Sequence, residues 1–324
     1  MSAVVTMAAP AWSADLKAIL YRLLALFVLC VALTLASEAF LTLNNVLNVL
    51  RQASLMFLLA SGLTLVILTA GLDLSIGANV GLSACLAAAA MKATGSAWVG
   101  AAVGLGCGSL IGLGNGMLVT KLRLPPFIAT YGMLWVVQGA TYWFMAGDTI
   151  HGFSREFRAL GSGYWLGVPI PVYLMGIFLS IGIGFARYTT FGQEIYAIGA
   201  NPVAARLSGI PIQRRLILVY AVSGAMAGLA SLIFLARLNS AEGDIGEALT
   251  LPAIAAVLIG GTSLFGGVGT VSGTLVGALI LTLVLNGMNL LQINANWQPL
   301  VTGVIVIVAV YLDLLTRKHA QLQR

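Results

Sequence analysis

Apolar stretches of roughly 20 residues recur along this chain, each long enough to cross about 30 Å of hydrocarbon as a helix. Ten such runs lie at about 18–36, 50–70, 76–93, 96–119, 127–146, 166–186, 216–236, 251–267, 271–291 and 298–315. A span in lipid must pair every backbone amide and carbonyl within the protein, so a series of this kind folds as helices. Only 8% of the 324 residues are charged and 60% are hydrophobic, whereas soluble domains carry about 25% charge. A soluble fold would therefore lack the polar surface to cover itself. The expectation is an all-α polytopic membrane protein of about ten transmembrane helices, some Gly-rich and broken or re-entrant, in contact with the lipid bilayer. It has a single transmembrane domain, 18–315, between an N-terminal segment, 1–17, and a tail, 316–324. The first run follows Lys17 and contains Arg22; with nine runs after it, it reads as an uncleaved span rather than a signal peptide.

Basic residues set the orientation. With an inner N-terminus, eleven Lys and Arg fall inside: Lys17, Arg22, Lys121, Arg123, Arg187, Arg206, Arg214, Arg215, Arg317, Lys318 and Arg324. Five fall outside: Arg51, Lys92, Arg155, Arg158 and Arg237. The positive-inside bias places both termini in the cytoplasm. It also accounts for the net charge of +6 without any nucleic-acid partner. The Gly-rich run 251–267 is the weakest span, either crossing or re-entrant.

One interruption breaks the apolar pattern. Residues 187–215 read RYTTFGQEIYAIGANPVAARLSGIPIQRR and hold four of the sixteen Lys and Arg residues. Asn201 is a good N-cap, Pro202 suits the first helical position, and Gly209 suits a left-handed stop before Pro211. About two turns are too short to be stable alone in water, so something must pack on them. Val203 and Leu207 share a face with Arg206 beside them. A helix this organised on the inner face reads as a docking surface for another protein.

Chemistry-bearing residues are few. Cys30, Cys85 and Cys107 lie in apolar runs, and His151 and His319 have no ligand-spaced partners. No catalytic residue, metal site or cofactor is therefore expected in this chain. Asp73 is the only charge between Arg51 and Lys92. It, or Ser75, can cap the helix starting near Ile76, which is the favoured reading; a carboxylate at membrane depth is the alternative, a candidate proton or ion site. The run GGTSLFGGVG (260–269) is no nucleotide loop, because no Gly in the chain is followed by Lys. Any ATP and Mg would bind a partner chain. Its glycines suit close packing instead, with Gly269, Gly273 and Gly277 four apart on one face. Segments 63–89 and 251–281 resemble each other, each an apolar run, a break and a small-residue helix. The breaks contain Gly71, Asp73 and Ser75 in one and Gly260, Gly261, Gly266 and Gly267 in the other; paired breaks of this kind mark transport pathways. Tyr131, Gln138, Asn286 and Asn289 suit a path for a neutral hydroxylated solute, or hydrogen bonds between helices.

Four blocks carry a family resemblance: AGLDLSIGANVGLSA (70–84), GNGMLVTKLRLPPFIATYGML (114–134), FGQEIYAIGANPVAARLSGI (191–210) and LIGGTSLFGGVGTVSGTLVGALIL (258–281). Over about residues 45–315 the chain resembles the permease subunits of bacterial ABC importers of the ribose, xylose and galactose type. The resemblance implies a transport component of the cytoplasmic (inner) membrane, not an enzyme, that moves a monosaccharide or related polyol inward. It implies a second permease subunit as homodimer or heterodimer, a cytoplasmic ATPase and a periplasmic or extracytoplasmic sugar-binding protein. It also implies an ATPase-coupling segment carried by Glu194, Ile195, Ala197, Gly199, Asn201, Pro202, Ala204, Ala205, Arg206 and Gly209. The outer loops 147–165 and 237–250, with Arg155 and Arg158, are expected to meet the binding protein. The rival reading, an ion-coupled secondary transporter of a small polar solute, calls for several charges deep in the membrane, and only Asp73 qualifies.

Overall fold

The computed structural model describes the backbone of residues 12–322 and the side chains of residues 20–315. Lys17, Arg317, Lys318, His319 and Arg324 lie outside the described side chains. In chain order the helices are α1 (Trp12–Ala36), α2 (Leu43–Leu68), α3 (Ile76–Thr94), α4 (Ala97–Thr120), α5 (Pro126–Met145), α6 (Arg155–Ser162) and α7 (Ile170–Tyr188). There follow α8 (Thr190–Ala200), α9 (Pro202–Leu207), α10 (Ile212–Leu238), α11 (Thr250–Ile259), α12 (Val271–Leu290) and α13 (Gln298–Leu322). Among the described residues, α2, α3, α4, α7, α10, α12 and α13 with its preceding turn are long and apolar enough to cross a membrane.

The remaining three runs differ in kind. The described apolar part of α1 is Leu20–Ala36. α5 has 20 residues, but Thr130, Tyr131, Gln138 and Thr141 dilute it. The run 251–267, read from the sequence as either crossing or re-entrant, is helical only over Thr250–Ile259. Ten residues rise about 15 Å, half the hydrocarbon. The chain reaches α11 through a compact segment lying along α3. Cys85 Sγ donates to the Glu242 carbonyl at 3.5 Å, Gly246 lies against Gly77 and Gly81, and Gly77 N–H donates to Thr250 Oγ1 at 3.2 Å.

α2 is the central helix, packed by α10, α11, α12 and α7, with Phe57, Leu58, Leu59, Leu63 and Ile67 fully buried. Beside it α4 and α10 cross backbone to backbone: a methyl on Gly112 would overlap the Tyr220 carbonyl. Small residues permit this approach, and without a hydrophobic drive between helices in lipid, dispersion at close range holds it. On α12, Gly273 and Gly277 meet the backbone of α11, but Gly269 precedes the helix and is not part of that face.

Two short antiparallel pairings add to the all-helical expectation. β1 (Ile150–His151) pairs with β4 (Ser240–Ala241), and β2 (Tyr164–Trp165) pairs with β3 (Val168–Pro169). The first ties together the loops 147–165 and 237–250. Asn239, with φ 57°, accepts the Phe153 N–H on its side chain at 2.9 Å, and Lys92 Nζ donates to the Gly152 carbonyl at 2.7 Å. α6 is capped by Ser154 and buries Phe157. Its Glu156 carboxyl is held below the usual range by its own backbone N–H and the Ser154 hydroxyl.

The α4–α10 contact yields a test. Gly112→Ala is expected to cost about 1–3 kcal/mol through forced separation of the helices. Gly106→Ala, where a methyl meets nothing within 4 Å, is expected to leave stability unchanged. Thermal unfolding of the purified variants checks the contrast.

Candidate functional site

The interruption 187–215 folds as two helices, not one. α8 is the addition: Thr189 caps it, its Oγ1 accepting from Gly192 N–H at 3.0 Å. Its signal in the sequence was the apolar spacing of Phe191, Ile195 and Ile198, which buries one face against Val66, Leu68, Val219 and Tyr220. α9 follows as the caps foretold. Asn201 Oδ1 accepts from Val203 and Ala204 N–H, both at 3.0 Å. At its end, Gly209 N–H donates to the Arg206 carbonyl and Ile210 N–H to the Ala205 carbonyl. With Gly209 at φ 83°, this is the two-bond C-terminal cap that left-handed glycine allows.

The ten residues named for this segment divide into two sets. Asn201, Pro202, Ala204, Arg206 and Gly209 are exposed, along with Val203 at 67% and Leu207 at 85%. These form an outward face of α9. Ile195, Gly199 and Ala205 are buried and Ala197 is partly so. Ala205 therefore seats α9 on its own chain rather than presenting it. Glu194 pairs with Arg215, whose guanidinium also lies over the Phe191 ring at 4.9 Å. That pair fastens α8 to the first turn of α10.

The buried set meets both helix breaks at one point. Gly267 N–H donates to the Leu68 carbonyl at 2.9 Å, joining the loop after α11 to the end of α2. Gly199 of α8 sits on this bond: a methyl there would overlap the Leu68 carbonyl. Gly266, at φ 80°, lies against Ala70 and Gly199, and Gly267, at φ 74°, against Ala200. Tyr196 Oη donates to the Gly269 carbonyl at 2.9 Å. Arg22 of α1 covers Gly261 and Gly273 at the far side of the turn, where Gly260 also meets Gly273. Breaks that resemble each other in sequence are thus joined in space, with α8 wedged onto the joint.

Asp73 lies just beyond it, and only 1% of it is exposed. Its Oδ1 accepts from Ser75 N–H at 3.0 Å, Ser75 Oγ at 2.7 Å and Asn115 Nδ2 at 3.3 Å. Neither Asp73 nor Ser75 caps α3. The open amide of its first turn, Gly77 N–H, goes to Thr250 from α11. The next carbonyl, Leu72 O, accepts from Thr130 Oγ1 and Tyr220 Oη, each at 3.2 Å. Gly71 backs onto that phenol. Asn115, Thr130 and Tyr220, in apolar runs, and Thr250, at the end of the loop 237–250, escaped the sequence reading because only the fold brings them to one break. Among the described residues no three His, Cys, Asp or Glu side chains gather as metal donors.

Residues 45–310 match the family described as the permease component of branched-chain amino acid transport systems. The chain belongs to this permease family. The ribose import permease protein of Escherichia coli (strain K12) is 41% identical to it over 307 residues, covering 94% of each chain. The D-allose transport system permease protein of the same organism is 36% identical over 286 residues, 88% of each chain. Its galactose/methyl galactoside import permease protein is 33% identical over 309 residues, 90% of this chain and 92% of the relative. No solved structure matches the permease.

Three of the four polar side chains considered for a solute path are spent on links within the permease. Asn286 exchanges two amide hydrogen bonds with Asn45, at 2.8 and 3.1 Å, pinning α12 to the start of α2. Gln138 Nε2 donates to the Gly243 carbonyl at 2.9 Å, and Asn289 Oδ1 accepts from Gln298 at 3.0 Å. Tyr131 faces outward, stacked on Phe127, and Asn289 is exposed as well.

Two outcomes follow for the permease. Asp73→Asn keeps an acceptor for Ser75 and Asn115 and is expected to be tolerated. Asp73→Ala strands three buried donors, at about 1–3 kcal/mol or more, and is expected to lower the melting temperature and the amount inserted in the membrane. Gly199→Ala pushes α8 off the Leu68–Gly267 bond; the protein is expected to insert yet lose transport, as measured by uptake per inserted molecule.

Proposed function

We propose that this permease is the membrane subunit of an ATP-binding-cassette importer that moves a monosaccharide, a pentose, hexose or related polyol, inward across the cytoplasmic membrane. The observation that carries the reading is the outward face of α9, held through α8 on the joint between the two helix breaks. Exposed Val203 and Leu207 flanking Arg206 suit a groove on a cytoplasmic ATPase, where ATP and Mg would bind. The relatives named for ribose, D-allose and galactose import support a sugar as cargo.

In this reading both termini are cytoplasmic and the chain crosses ten times, with the segment 240–249 and the half-length α11 together making one crossing. A second permease copy and an extracytoplasmic sugar-binding protein complete the assembly. The paired outer loops, with exposed Arg155 and Arg158 on α6, receive the binding protein. ATP binding closes the ATPase and changes what α9 touches. Only contacts that differ between the two ATPase states shift the permease between outward and inward forms. An ion-coupled mechanism is less well supported, because Asp73 is sealed from solvent and its neighbours are neutral.

Arg206→Glu tests the docking face. In proteoliposomes with the ATPase and binding protein, ATP-driven uptake is expected to fall by about tenfold or more, the loss typical of a central interface residue. The sugar affinity of the binding protein should be unchanged. Normal uptake by this variant would sink the assignment of α9.

A further inference from the structure

α5 is unlike the other open helices. One side packs inward through Thr130, Val137, Gln138, Thr141 and Met145. The other carries Phe127, Tyr131 and Trp135, all about half exposed. Four-residue spacing sets them one above the next over about 12 Å of helix. The Phe127 and Tyr131 rings are parallel within 1°, centroids 5.9 Å apart, and Trp135 meets Tyr131 edge-on at 6.3 Å. Gly132 and Gly139 on the same side leave open recesses, with nothing within 4 Å of where a side chain would begin.

The other open helices are mainly aliphatic. α7 exposes Ile177, Ile181 and Ile183, and α13 exposes Val304, Ile307 and Val308 with a single ring, Tyr311, whereas α5 carries a row of three rings beside Ile128 and Val136. Hydrocarbon offers no partner to a phenol within a span, and among the described residues the Tyr131 hydroxyl makes no hydrogen bond. The far end of the same helix opens on a cleft of about 370 Å³ lined by Tyr142, Asp148, Thr149 and Asp244, with the Tyr142 hydroxyl donating to Glu247. A sugar ring has an apolar C–H face and a rim of hydroxyls, and this combination of flat rings, recesses and hydroxyl-bonding groups is complementary to both.

We propose that the open face of α5 is the surface along which the transported sugar crosses the membrane, with the three rings stacking on its C–H face and the Tyr131 hydroxyl bonding its rim. The inference rests on the import reading above and adds where the cargo runs. Lipid, or a second copy packed tightly against α5, would be the other occupants.

Single cysteines separate these. In cells carrying the full import system, with Cys30, Cys85 and Cys107 replaced by Ala, the variants are Tyr131→Cys and Trp135→Cys, with Ile177→Cys and Ile181→Cys as controls. Cysteines at 131 and 135 are expected to react with a charged, water-soluble thiol reagent, and to be protected by saturating D-ribose, D-allose or D-galactose, whichever is imported. Cysteines at 177 and 181 should not react. Silence at 131 and 135 equal to the controls overturns the proposal in favour of lipid. Disulfide cross-linking between two copies at 131 without reagent labelling overturns it in favour of a copy–copy contact. Labelling without sugar protection overturns the sugar path alone, whereas absence of uptake by the unsubstituted chain counts against the import reading instead. Independently, Trp135→Leu is expected to lower uptake about tenfold and Trp135→Phe to retain most of it.

Discussion

A helix that stops among apolar neighbours leaves its last carbonyls, and the first amides of the next helix, with no water to receive them. This protein stops two helices close together, where one hydrogen bond joins the breaks and neighbouring helices serve the remaining groups. The Leu68 carbonyl takes the Gly267 amide, and the Gly77 amide takes Thr250 from the start of α11. Leu72 O is served by Thr130 and Tyr220, and Gly269 O by Tyr196. An orphaned buried group costs about 1–3 kcal/mol, whereas a made hydrogen bond contributes about 1 net. The penalty for half a joint therefore exceeds the reward for any one bond. The breaks stand or fall together, and α2, α3, α11 and α12 take their positions from that.

The same constraint explains why α8 is where it is. Its buried face reaches the joint through Gly199 and Ala200, which have little or no side chain, so backbone touches backbone. Side chains between packed elements can absorb a displacement by changing rotamer. Backbone in direct contact cannot, and close-packed interiors pass strain on. A push on α9 thus reaches the ends of α2 and α11 through a short, stiff path fixed to α10 by the Glu194–Arg215 pair. Exposed ion pairs contribute little stability, but this one is partly buried and holds an orientation.

Much of this was legible in the residues, and the parts that were not share a cause. The apolar runs, the caps of α9 at Asn201 and Gly209, and both breaks follow from local rules of length, capping and glycine. The half-length of α11 did not, because an apolar, Gly-ended run reads the same whether it crosses or turns back. Asp73 invited a capping role because the N-cap rule sees only chain neighbours, while the true acceptor for the first turn of α3, Thr250 Oγ1, lies 173 residues away. Asn286 and Gln138 suit a solute path or, the favoured reading for any one residue, packing between helices, and their partners Asn45 and Gly243 are visible only in the fold. Polar side chains in membrane helices are ambiguous in sequence because both roles need the same groups.

The opposite end of the bundle shows how weak and strong contacts are divided. There the loops 147–165 and 237–250 are joined by a strand pairing of two residues, with the Lys92 hydrogen bond and the Asn239 side chain beside it. Ladders this short are marginal on their own, but the loops do not depend on them alone. Phe153 and Phe157 are buried in one cluster with Met91, Leu232 and Leu235, the Gly161 backbone lies on that of Ile233 and Arg237, and Gly246 lies on Gly77. Local opening begins where few contacts must break. The strand pairings therefore give way before the contacts of α6 with α10 and of Gly246 with α3, which fix where both loops leave the bundle.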